Sequence, residues 1–146
     1  MRDEYFVPMN EIVLNTQTET GYDLPEDVTV YISALLSSFI DKPDFLPERS
    51  FSEAYYKLQN KNRVEAKELG DTCLFLSGVF PGYGSRYGLN KGYYKQIGSS
   101  SYYIASNIKS NLVFSVLSKN FEFVADFITM CTNKPKYPIL KVRYES

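Results

Sequence analysis

The sequence contains no histidine. That excludes Ser-His-Asp and Cys-His catalysis, histidine metal sites and histidine proton shuttles. Tryptophan is missing as well, and cysteine is confined to Cys73 and Cys131. Two isolated thiols without a histidine cannot build an ordinary zinc site. Both fall on predicted helical stripes and read as buried free thiols, which behave as small hydrophobes. Neither sign of charge is in excess: 16 Lys and Arg face 17 Asp and Glu, a net charge of −1. Nothing general then drives the chain toward nucleic acid or an anionic membrane. The cations Lys134, Lys136, Lys141 and Arg143 read as a solvated face rather than a phosphate tracker. No apolar run approaches the roughly 20 residues of a membrane helix. The opening Met1-Arg2-Asp3-Glu4 is charged and lacks the apolar region of a secretion signal. The expectation is a reduced, cytoplasmic protein with no membrane segment and no cofactor.

What is present suits a globular helical fold. The 146 residues are 44% hydrophobic, with 13 Tyr and 10 Phe, and one domain is the natural reading of that length. Its expected parts are an N-terminal arm (1–24), a helical core (25–131) and a C-terminal tail (132–146). The densest apolar run is Leu69 to Phe80, closed by Pro81. Ala66, Leu69, Cys73, Leu76 and Phe80 step by three and four, which is one helical stripe. Leu74, Phe75 and Val79 cover most of the other side. A helix apolar nearly all round belongs inside a bundle, so residues 63–80 are expected as a buried central helix. Gly70, Ser77 and Gly78 add little bulk and invite a close neighbour.

Four further helices are predicted around it. Pro25 to Ile40 opens with proline at its first position and Glu26 and Asp27 complementing the dipole; Val28, Ile32, Leu35 and Phe39 form its stripe, and Pro43 stops it. Ser52 to Gln59 is short, with Ser50 and Glu53 as a capping box. Asn90 to Ile108 carries Tyr94, Ile97, Ser101, Ile104 and Ile108, with a thin waist at Gly98 to Ser101. Leu112 to Cys131 follows Val113, Leu117, Phe121, Val124, Ile128 and Cys131. Glu11 to Asn15 reads as a short strand or extended arm, residues 16–22 as loop, and Ile139 to Tyr144 as a segment able to pair with that arm. The fold expected is all-α: about five helices around residues 63–80, with short extended or irregular ends.

Candidate chemistry is sparse. Gly82-x-Gly84-x-x-x-Gly88 has the wrong spacing for a dinucleotide loop, follows no predicted strand, and lacks the Gly-Lys-Ser/Thr ending of a P-loop. A helix–helix connection explains it better. Ser99, Ser100 and Ser101 could accept phosphate, though close packing explains small residues there more simply. Asp71 is the sharper case, because a carboxylate in a helix turning apolar needs partners or water. Its available partners are the hydroxyls of Tyr93, Tyr94 and Tyr102, and Arg86 from the loop. Two readings stand: a small polar pocket of Asp71, Arg86, Tyr93 and Tyr94, or a hydrogen-bond network that sets helix register.

Two linked motifs carry a resemblance. Leu69-Gly70-Asp71-x-x-Leu74-Phe75-x-Ser77-Gly78-x-Phe80 and Tyr93-Tyr94-x-x-x-Gly98-x-x-x-Tyr102 together resemble a family of bacterial proteins of uncharacterised biochemistry, largely helical by prediction. In that family a Leu-Gly-Asp helix ending Ser-Gly-Phe-Phe leads through an Arg- or Asn-bearing loop into Asp-Tyr-Tyr. The similarity covers roughly residues 28 to 128. Gly92 stands where the family commonly has an acid, and the loop from Pro81 to Gly88 is richer in glycine. The resemblance implies a helical fold and leaves the biochemistry open.

Function is therefore expected to be that of a non-enzymatic interaction or regulatory module, with a protein partner or a homodimer joined through an aromatic-rich face. The alternative is a small-ligand binder or enzyme, with Asp71 as base or anchor and Arg86 holding an anion.

Overall fold

A computed structural model describes residues 4–40, 51–58, 63–82, 91–108 and 111–132. Among them the secondary structure is all helical, in seven segments: α1 (Phe6–Thr20), α2 (Glu26–Ile40), α3 (Phe51–Leu58), α4 (Arg63–Val79), α5 (Lys91–Ile108), α6 (Leu112–Lys119) and α7 (Phe121–Thr132). No helix among the described residues is long and apolar enough to cross a membrane.

The strand or extended arm expected at 11–15, and the loop expected after it, are corrected by α1. Ile12 and Val13 are β-branched neighbours and resemble a strand locally. Yet the buried residues of α1 are Met9, Ile12, Val13 and Thr16, a helical stripe whose last position is polar. Pro8 falls in the first turn, where its missing N–H costs nothing. The helix stops at Gly21, which takes φ 80° and donates its N–H to Gln17 O at 3.0 Å. That left-handed cap suits glycine, which has no Cβ to clash. The pairing proposed for Ile139 to Tyr144 lies outside the described residues.

α2 begins where the proline and acids indicate. Pro25 O accepts from the N–H groups of Val28 and Thr29 at 3.0 Å each, and Val28, Ile32, Leu35, Leu36 and Phe39 are buried. α1 lies antiparallel against α2 across the short connection 21–25, and also touches α7. The Ser33 hydroxyl donates to Asn10 Oδ1 at 2.9 Å across the α1–α2 seam.

The single helix expected over 112–131 is two. Asn120 has φ −120° and ψ 31°, off the helical region, and separates α6 from α7. Its own N–H and side-chain amide both donate to Val116 O, at 2.9 and 3.0 Å. It thus ends α6, while its carbonyl starts α7 by accepting from Val124 N. The apolar stripe hides the break, because its register survives on both sides.

From Leu69 to Val79 every residue of α4 is buried. This stretch packs against α5 and α7, and α4 also meets α3 and α2. Small residues set the approach. A Cβ on Gly98 of α5 would run into the Phe121 ring and come within 2.9 Å of Cys73 Cβ. A Cβ on Gly78 of α4 would meet Ile128 of α7 at 2.5 Å. The waist of α5 therefore crosses α4 at Cys73, whereas Gly78 admits α7.

Candidate functional site

Asp71 follows Gly70 at the start of the buried half of α4 and is 7% exposed. It is the one buried carboxylate among the described residues. Its Oδ1 accepts from the Tyr31 hydroxyl of α2 at 2.7 Å and from the Tyr102 hydroxyl of α5 at 2.6 Å. Its Oδ2 accepts from Lys67 Nζ, one turn earlier on α4, at 2.7 Å. Three helices thus meet at one side chain, and the donors offset what burying the charge would otherwise cost.

The neighbouring glycine makes this geometry possible. A Cβ at Gly70 would stand 2.9 Å from the Tyr102 ring, so only a bare backbone lets that ring lie flat on α4 while its hydroxyl reaches Asp71. Phe114 of α6 backs both rings, stacked with Tyr102 at 6.0 Å and edge-on to Tyr31 at 5.8 Å. Lys67 Nζ lies 5.5 Å from the Tyr31 ring centre, a cation–π contact on the network's wetter side.

Burial keeps two groups here, Tyr102 and Cys73, protonated at neutral pH. Burial pushes the Tyr102 hydroxyl well above the usual tyrosine range, and the negative charge of Asp71 with its hydrogen bond adds to the effect. Burial likewise pushes the Cys73 thiol upward, so no thiolate forms there under ordinary conditions. Among the described residues no group of three or more His, Cys, Asp and Glu is placed to hold a metal ion.

Of the site residues named from sequence, Tyr102 and Asp71 are brought together. Tyr93 lies elsewhere: its hydroxyl oxygen accepts from the Ser52 N–H at 3.2 Å and the Ser52 hydroxyl at 3.1 Å, tying α5 to α3. Tyr94 is buried edge-on to Phe51, with ring centres 5.3 Å apart. Both precede Tyr102 by more than two helical turns, roughly 12 Å along the axis. Arg86 lies outside the described residues. Two partners of Asp71 were not anticipated. Lys67 carried a signal, the four-residue spacing that puts two side chains on one helix face. Tyr31 carried none, since it flanks the α2 stripe and meets Asp71 only through the tertiary fold.

No protein-family model, no curated protein and no solved structure matches this chain.

Proposed function

We propose that this chain is a non-enzymatic interaction or regulatory module, a bundle with α4 as its axis whose polar interior holds the helices in register and whose outer surface does the binding. The observation that carries this reading is the occupation of Asp71, three of whose roughly four acceptor sites are taken. Both of its oxygens already accept from Tyr31, Tyr102 and Lys67. A general base needs an oxygen within hydrogen-bond reach of a substrate proton; here three intramolecular donors occupy that reach. The buried, protonated thiol of Cys73 supports the same conclusion. In this reading the protein works in a reducing cytoplasm, where Cys73 and Cys131 stay free, and is kin to the bacterial helical family its two motifs resemble. Contact falls to exposed side chains such as Val7, Tyr56, Tyr103 and Leu112.

The test is thermal unfolding of the wild type and of Asp71→Asn, each with a panel of nucleotides, sugar phosphates and dicarboxylates. The expected result is a lower melting temperature for Asp71→Asn and no shift from any panel member. A compound that raises the melting temperature of the wild type, but not of a folded Asp71→Asn, would overturn the reading in favour of a ligand pocket.

A further inference from the structure

Charge in this molecule is segregated along the chain. Between Arg2 and Lys42 there is neither lysine nor arginine. Over residues 4–40 the charged side chains are Glu4, Glu11, Glu19, Asp23, Glu26 and Asp27, all of them exposed. The α1–α2 hairpin thus carries −6, leaving +5 on the rest of a chain whose net charge is −1.

The acids are interleaved with apolar side chains that also face outward. On α1, Val7, Glu11, Leu14 and Thr18 step by four and three and form one exposed stripe, continuing from Glu4 just before the helix, with Val7 66% and Leu14 45% exposed. On α2, Val30 is 45% exposed, one turn beyond Glu26 and Asp27, and these three residues wall a concavity. The Ser33–Asn10 hydrogen bond fixes the register of the two helices. Leu14 lies four residues on from Asn10, and Val30 three residues back from Ser33, so in an antiparallel pair they sit level across the outer seam. One turn past Leu14, the Gln17 Oε1 is buried with no donor among the described residues. Glu11, Glu26 and Asp27 make no ion pair among the described residues.

We infer that the outer face of the α1–α2 hairpin docks a cationic amphipathic helix of another protein, its apolar stripe against Val7, Leu14 and Val30 and its lysines or arginines over Glu11, Glu26 and Asp27. Charge complementarity selects this occupant. A hairpin of −6 without a cation of its own repels acidic proteins, nucleic acid and anionic lipid alike, and the aligned valines and leucine match the i, i+3, i+4 anchors of a helix laid along a groove. The inference rests on the interaction reading above.

The experiment is fluorescence anisotropy of the full chain with a labelled synthetic helix of Leu, Lys and Ala, about four turns long, its leucines in one stripe flanked by lysines. Saturable binding is expected, weakened about tenfold by Glu11→Lys with Glu26→Lys and weakened again by Leu14→Ser alone, whose charge is unchanged. Glu68→Lys, a charge reversal of the same sign on exposed α4 surface, is expected to leave affinity within about twofold of the wild type. No binding, or equal weakening by Glu68→Lys, overturns the docking face while leaving the interaction reading standing on other surfaces. Sedimentation that shows a dimer broken by Glu11→Lys also overturns it, by making the occupant a second copy of this chain. Failure of the interaction reading itself has a different signature, the Asp71-dependent ligand described above.

Discussion

A carboxylate removed from water costs several kcal/mol unless its oxygens are matched, and Asp71 meets that condition through side chains from three helices. Tyr102 is the buried member of the set. Replacing it with phenylalanine keeps the ring against Gly70 and Phe114 and deletes one charge-assisted hydrogen bond, worth about 1.5–3 kcal/mol. Urea denaturation at pH 7 should show Tyr102→Phe less stable by that amount. The difference should shrink in alkali. The folded hydroxyl keeps its proton well above the ordinary value of 10.0, while the unfolded one ionises near it. The unfolded state then binds fewer protons, so this contribution is complete below pH 10 and is lost as pH climbs toward the folded value. Cys73 adds a loss of the same sign in both proteins, starting near its ordinary 9.0. At this scale the sequence was informative about Asp71, since an acid in an apolar helix demands donors, and it offered Tyr102 beside Tyr93 and Tyr94 without a local signal to choose among them. It was silent about Tyr31, because a contact between residues 40 apart leaves no trace in local spacing.

Helices are where periodicity reads well and punctuation reads poorly. The stripes of α2, α4 and α5 were legible because their apolar residues recur at three and four, and Val28, Ile32, Leu35 and Phe39, Ala66, Leu69, Cys73 and Leu76, and Tyr94, Ile97 and Ile104 are buried. α1 was not, because Thr16 occupies a core position and the β-branched pair Ile12–Val13 mimics a strand. The break at Asn120 was invisible because one stripe runs through both α6 and α7. Asn111 does begin α6 by a local rule: its Oδ1 accepts from Phe114 N–H at 3.2 Å. Asn111→Ala should therefore cost about 1 kcal/mol, the usual worth of such a cap, measured by chemical denaturation. Close packing gives a larger effect. Gly98→Ala would drive a methyl into Phe121 and Cys73, and overpacking of that kind costs about 1–3 kcal/mol. The same substitution at an exposed helical glycine would stabilise the chain, so the sign of the shift in melting temperature checks the crossing of α4 and α5.

Taken whole, the molecule separates a polar network inside its apolar core from its charged exterior. The interior network joins α2, α4 and α5 at one point, and the outer hairpin gathers acids, of which Glu11, Glu26 and Asp27 make no ion pair among the described residues. Net charge concealed that asymmetry, because −1 averages over a −6 hairpin and a +5 remainder. The claim on which the account depends is that Asp71 and Tyr102 act as one structural unit. A double-mutant cycle of Asp71→Ala and Tyr102→Phe, read by urea denaturation at pH 7, measures this directly. The account predicts a coupling of about 1–3 kcal/mol, with the double variant far less destabilised than the sum of the two single ones. Additive effects, with coupling near zero, would contradict it.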